Sequence, residues 1–163
     1  DVGGVKVGLA TPDTVRDAYD AMMYRIKSKM PAATIWGVNI QQMVTTGKQT
    51  ILGVSRDPQF GPMLMFGLGG IYVEVLKDVT FRIAPLTERD ARQMISEIRS
   101  YKLLTGVRGE EGVDIDAIIE SVLRLSQLVT DFPEIAEMDI NPLIALPGND
   151  GAIAIDSRIA LTK

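Results

Sequence analysis

The chain has 163 residues, 46% of them hydrophobic and 23% charged, with a net charge of −4 and a pI near 4.9. These are globular values, enough for one domain with a sizeable core, and the acidic balance argues against a basic nucleic-acid surface. The sequence holds no cysteine and no histidine. Disulfides, thiolate or imidazole metal sites, cysteine nucleophiles and a phosphohistidine within these residues are therefore excluded.

No apolar run approaches the ~20 residues of a membrane span. The N-terminus, with Asp1 and then Gly3-Gly4, does not read as a signal peptide, so a cytoplasmic location is expected. Val5 to Leu9 reads as a strand already under way, which makes the chain look like part of a longer protein. Thr11-Pro12-Asp13 then starts a helix: threonine caps, proline fits the first helical position, and Asp13 favours the positive end of the dipole. It should run to about Lys29, with an apolar stripe of Val15, Ala18, Tyr19, Met22, Met23 and Ile26, and end at Met30-Pro31.

Ile35–Val44 and Gln49–Ser55 read as a hairpin around Thr45-Thr46-Gly47-Lys48. Residues 56–62 carry two prolines and a glycine and are expected to break the ladder. Met63–Phe66 resumes as an apolar strand buried on both faces. Gly67-Leu68-Gly69-Gly70 is either a tight bend or a turn that brings N–H groups to a phosphate. Tyr72–Ile83, containing Glu74, suggests two short strands around Lys77-Asp78. Thr87 caps a second helix with Ala91, Met94, Ile95 and Ile98 inward. Leu103–Asp114 is a loop in which Arg108, between glycines, could meet an anion or simply face solvent. Asp114 caps a third helix, Ile115 to about Thr130, burying Ile118, Ile119, Val122, Leu125 and Val129.

The last segment carries the most chemistry. Ile135–Leu146 and Ala152–Ile159 flank Pro147-Gly148-Asn149-Asp150-Gly151 and predict a second hairpin. Asp139 and Asn141 are two apart, so their side chains share a face, and Asp156 on the return strand can come alongside. An isolated acidic residue on a strand is usually a solvated face. Two carboxylates and an amide oxygen together suit Mg²⁺, which takes oxygen ligands and leaves positions for phosphates. Asp156 on the face opposite Asn141 would remove that reading. The fold class expected is α+β, a mainly antiparallel sheet with helices on one side.

Five segments together resemble the ATP-grasp part of ADP-forming acyl-CoA synthetases, the acetate–CoA ligase β subunit in particular. They are residues 1–6, the run Arg56-Asp57-Pro58-Gln59-Phe60-Gly61-Pro62, residues 65–70, residues 73–79, and Asp139-Ile140-Asn141-Pro142-Leu143. The resemblance spans nearly the whole chain. It implies that 1–163 is the C-terminal portion of an ATP-grasp nucleotide-binding domain, with the first lobe upstream of Asp1. It implies Mg²⁺ held by Asp139, Asn141 and Asp156. It also implies ATP or ADP beside Gly3, Gly4, the hinge residues Gln41, Gln42 and Met43, and Gln49.

The family commonly has Glu at the position of Gln49, and an amide is a weaker acceptor than a carboxylate. Its phosphate-relaying histidine and ATP-binding lysine would fall before Asp1, so no catalytic residue is assigned within this sequence. The activity implied is acyl-CoA + ADP + phosphate ⇌ acid + CoA + ATP. The partner implied is a CoA-binding α subunit that takes the acid and CoA, with no nucleic acid and no membrane. The rival reading is a ligand-binding regulatory ATP-grasp domain of a fused lysine acetyltransferase.

Overall fold

The computed structural model describes residues 2–70, 73 and 75–162. The calls for Tyr72 and Glu74, and Asp1 of the opening motif, lie outside those residues. The chain divides into two compact units, Asp1–Thr45 and Thr46–Lys163.

The first unit is built on α1 (Pro12–Lys29). Thr11 and Thr14 form a capping box: the Thr11 hydroxyl accepts the Thr14 N–H at 3.2 Å, and the Thr14 hydroxyl accepts the Thr11 N–H at 3.1 Å. Met30 closes the helix, its N–H donating to Ile26. No residue of α1 is fully buried, so the predicted apolar stripe is only half covered within its own unit, and Tyr19 is exposed. Val38 and Ile40 line a shallow groove with Val15 and Tyr19.

The strand expected at Val5–Leu9 and the first arm of the early hairpin, Ile35–Val44, are not strands. For the second the reason is plain. Its intended partner, β1 (Lys48–Asp57), has both edges taken, by β2 (Gly61–Leu68) on one side and β4 (Ile135–Ala145) on the other. A strand without a free edge to pair with leaves its backbone groups unsatisfied and does not persist as one.

The second unit is a six-stranded antiparallel sheet with helices on one face. β3 (Val79–Ile83), β2, β1, β4 and β5 (Ala152–Ala154) lie in that order, and β6 (Ser157–Leu161) also pairs with β4. The predicted return arm is thus split in two. The run 56–62 interrupts the sheet less than expected. β1 continues to Asp57, β2 starts at Gly61, and the Asp57 carboxylate accepts the N–H groups of Gln59 and Phe60 across a tight turn. β2 is fully buried at Leu64, Phe66, Gly67 and Leu68, whereas Met63 and Met65 are only half-buried on the other face.

α2 (Glu88–Ser96), the short α3 (Tyr101–Leu104) and α4 (Ile115–Asp131) supply the helical layer. Thr87 and Asp114 cap α2 and α4. Met94, Ile95, Ile118, Val122 and Val129 are fully excluded from solvent against Leu52, Leu64 and Phe66 of the sheet. α3 occupies the start of what reads in sequence as a loop. The Asp114 carboxylate also accepts the Gly151 N–H at 3.0 Å, pinning the β4–β5 turn to the start of α4.

Two polar side chains hold layers together in ways that periodicity does not reveal. Arg56 donates from Nη2 to Val129 (2.9 Å) and from Nε to Ile135 (3.2 Å), joining β1 to the end of α4 and the start of β4. Arg56→Ala orphans both carbonyls and should cost about 1–3 kcal/mol, read as a lower urea midpoint at unchanged m-value. Asp78 is 6% exposed. Burial works against its charge, but the Ser100 hydroxyl and the amides of Arg99 and Ser100 outweigh it and hold the carboxyl below its ordinary value.

Candidate functional site

β4 and β6 pair so that Asp139 faces Arg158 and Ile140 faces Ser157. The next rung continues the ladder, the Asn141 N–H donating to the Asp156 carbonyl at 3.0 Å. Met138 is buried and Ile140 packs against the core, so Asp139 and Asn141 take the opposite, open side of the sheet. Directly opposed residues of an antiparallel pair project to the same side. Asp156, opposite Asn141, therefore shares that side. Asn141 and Asp156 are exposed, and Asp139 is half-buried. One carboxylate oxygen of Asp156 accepts the Ser157 N–H at 2.9 Å, leaving the other free of protein partners among the described residues.

A bulge follows directly. Between the Leu52–Ile140 and Thr50–Leu143 pairs, β4 carries one residue more than β1. Leu143 and Ala145 thereby return to the core, although simple alternation from Ile140 would turn them outward. The extra length falls at Asn141-Pro142, whose peptide bond is cis. The buried Thr50 hydroxyl donates to the Leu143 carbonyl at 2.8 Å and secures the irregular backbone.

Beside Asp139 the sheet carries a glycine covered by the Met65 side chain. Gly53 of β1 pairs with Asp139, and a Cβ there would come within 3.0 Å of the Met65 methyl. Gln49 lies on the same side of β1, four residues away, or about 14 Å at ~3.4 Å per residue. Its carbonyl accepts the Gly69 N–H at 2.7 Å, and a Cβ on Gly69 would meet the Gln49 Cβ at 3.1 Å. A Cβ on Gly67 would lie 2.8 Å from the Asp78 carbonyl. Gly67 and Gly69 thus serve close backbone packing, the bend reading of this glycine run. The open side presents acidic oxygens at one end and an amide beside glycines at the other.

Gln49, Asp139, Asn141 and Asp156 belong to the second unit; Gly3, Gly4, Gln41, Gln42 and Met43 belong to the first. Gly3 has a positive φ of 80°, and the Arg25 guanidinium lies 3.4 Å from its carbonyl. Gln41, Gln42 and Met43 are exposed and outside any strand. Arg158 was not singled out by sequence reasoning. Its position two residues after Asp156 on an alternating strand was the available signal.

The ATP-grasp domain family matches residues 1–161. Acetate–CoA ligase (ADP-forming) I subunit beta of Pyrococcus furiosus is 47% identical over 161 residues, covering 99% of this chain and 68% of that protein. The chain belongs to the ATP-grasp family of ADP-forming acid–CoA ligases. Acetate–CoA ligase (ADP-forming) I of Archaeoglobus fulgidus is 49% identical, but this ATP-grasp chain spans only 23% of its length. Among solved structures, Ca. Korarchaeum cryptofilum dinucleotide forming acetyl-coenzyme A synthetase 1, in complex with coenzyme A, Ca-AMPCP and HgCl⁺, superimposes with a TM-score of 0.93 at 48% identity. That match covers 99% of this chain and 69% of that one. A second structure of that synthetase, with coenzyme A and Mg-AMPPCP, has its phosphohistidine segment pointing towards the nucleotide binding site. It gives a TM-score of 0.86 at 45% identity, covering 99% and 69%. The ATP-grasp assignment and the α+β class expected from the sequence are both met. No helix among the described residues is long and apolar enough to cross a membrane.

Proposed function

We propose that this chain is the nucleotide-binding part of an ADP-forming acyl-CoA synthetase, catalysing acyl-CoA + ADP + phosphate ⇌ acid + CoA + ATP together with a CoA-binding α subunit or domain. The observation that carries the reading is the β4–β6 register, which supports Asp139, Asn141 and Asp156 acting as one oxygen donor set. Two carboxylates and an amide oxygen on an open sheet face match the preference of Mg²⁺ for oxygen ligands and retained open positions. Bound there, Mg²⁺ would supply charge neutralisation for phosphoryl transfer.

The residues of this chain bind and orient. Asp139, Asn141 and Asp156 fix where the phosphates lie. Gln49, about 14 Å along the sheet, offers an amide to the nucleoside end. Ile51 and Gly53 of β1 lie on the sheet between them. For Gly3, Gly4, Gln41, Gln42 and Met43, in the first unit, a nucleotide-binding role is proposed on the family resemblance alone. The sequence has no histidine, so the relay of phosphate to the CoA site uses a group outside it. The relatives are named as acid–CoA ligases, some as β subunits and some as longer single chains, which favours the ligase over a regulatory acetyltransferase domain.

The test is calorimetry of ADP with the full-length protein, with and without Mg²⁺, alongside ATP formation from acetyl-CoA, ADP and phosphate once the CoA-binding subunit is added. Metal-dependent ADP binding and ATP formation are expected. Nucleotide binding indifferent to Mg²⁺ would sink the proposal. In the same titration, Gln49→Glu should tighten Mg-ADP binding several-fold, because a charged acceptor makes the stronger hydrogen bond to a ribose hydroxyl. Unchanged or weaker affinity would mean that Gln49 does not touch the nucleotide.

A further inference from the structure

Arg158 lies on β6 directly across from Asp139 and two residues from Asp156, so it projects to the same open side as the acidic set. It is exposed, and among the described residues it makes no ion pair within 4.0 Å and no hydrogen bond, in spite of the carboxylate opposite. The other arginines and lysines of the strands are turned elsewhere. Arg56 donates to Val129 and Ile135 beneath the sheet, Arg82 is paired with Glu97 of the helical layer, and Lys48 with Glu110. Among the described strand positions that the registers place on the open side, Arg158 is the one cation.

We propose that Arg158 contacts the phosphates of the metal-bound nucleotide, its guanidinium donating to phosphoryl oxygens at the site formed by Asp139, Asn141 and Asp156. This rests on the metal reading of the acidic hairpin. Geometry and charge both lead to it. A guanidinium extends several bonds further from the backbone than an aspartate carboxylate, so Arg158 reaches past Asp139 to the level at which phosphates would sit. Two carboxylates balance one divalent cation and leave the nucleotide's own charge uncompensated. A planar fork of donors on an exposed strand position suits that charge, and phosphate oxygens accept from it in pairs. Towards the empty acidic pair the same charge acts the other way, repelling an incoming cation.

Those two effects have opposite signs, which separates this role from that of a solvated side chain. The experiment uses the full-length protein and two probes: Mn²⁺ alone, followed by its electron paramagnetic resonance signal, and ADP at saturating Mn²⁺, followed by calorimetry. Arg158→Gln should tighten Mn²⁺ alone by about three- to tenfold, since a like charge has been removed from beside the ligands. It should weaken ADP at saturating Mn²⁺ by about tenfold or more. Arg158→Lys should leave Mn²⁺ close to wild type and restore only part of the ADP affinity, because an ammonium lacks the fork. An unchanged ADP affinity in Arg158→Gln overturns the proposal while leaving the metal site intact. If Asp139→Asn does not weaken Mn²⁺ binding, the metal reading fails and takes this inference with it. Thermal unfolding, expected to be unaltered at so exposed a position, shows that the variants are folded.

Discussion

The Asp139→Asn, Asp156→Asn double variant is expected to lose metal-dependent ADP binding by at least about 100-fold. Replacing a residue that only supports a metal ligand already costs about 10–100-fold, and this change removes both negative charges of the donor set. The substitutions preserve volume and leave amide oxygens in place, so the loss measures charge rather than shape. Asp156 is exposed and Asp139 half-buried, and neither forms an ion pair among the described residues. Stability should therefore change by no more than about 0.5 kcal/mol. Calorimetry with ADP at several Mg²⁺ concentrations gives the affinity, and urea denaturation gives the control. Wild-type metal dependence in this variant would remove the acidic hairpin from the site.

The second large effect is on stability. Asp78→Ala should lower it by about 3–5 kcal/mol at neutral pH, because the backbone amides of Arg99 and Ser100 and the Ser100 hydroxyl lose their acceptor where little water reaches. Those amides lie just ahead of α3, and their carboxylate sits immediately before β3, so the link between edge strand and helical layer is broken. The pH dependence has a definite sign. The folded state holds this carboxyl below its unfolded value of 3.8. Its contribution is therefore complete above that value and is lost as pH falls through the folded pKa. Urea midpoints from pH 7 down to pH 3 should show a shallower acid limb in Asp78→Ala than in wild type. Asp90, Glu97 and Glu110 are also held low, by Thr87, Arg82 and Lys48 respectively, so the limb is reduced and not abolished. An equal slope in both proteins would show that Asp78 is not the group being protonated.

The helices were legible in the sequence because their signals are local. Thr11-Pro12-Asp13, Thr87 with Asp90, and Asp114 each satisfy amides within three residues of themselves, and the inward faces of α2 and α4 follow from a 3.6-residue period. The acidic hairpin was legible for the same reason: its turn residues and the two-residue spacing of Asp139 and Asn141 are short-range facts. What pairs with β1 is not. Ile35–Val44 has the composition of a strand and a turn leading to β1, yet residues 82 to 97 positions further along the chain occupy that edge. Nothing local encodes that competition, since hydrogen bonding to a sheet edge depends on which segment buries more apolar surface against the helices. The bulge at Asn141-Pro142 is decided at the same level. The core claims Ile140 and Leu143 on one side although they stand an odd number of residues apart, and the chain can meet both demands only by adding a residue against β1. Sequence alone offered Asp139, Asn141 and Asp156 as candidate oxygen donors on one hairpin. Tertiary pairing decided that they share an open face with Gly53 beneath them and Arg158 alongside, because only the register of β4 against both β1 and β6 fixes which side of the sheet each residue takes.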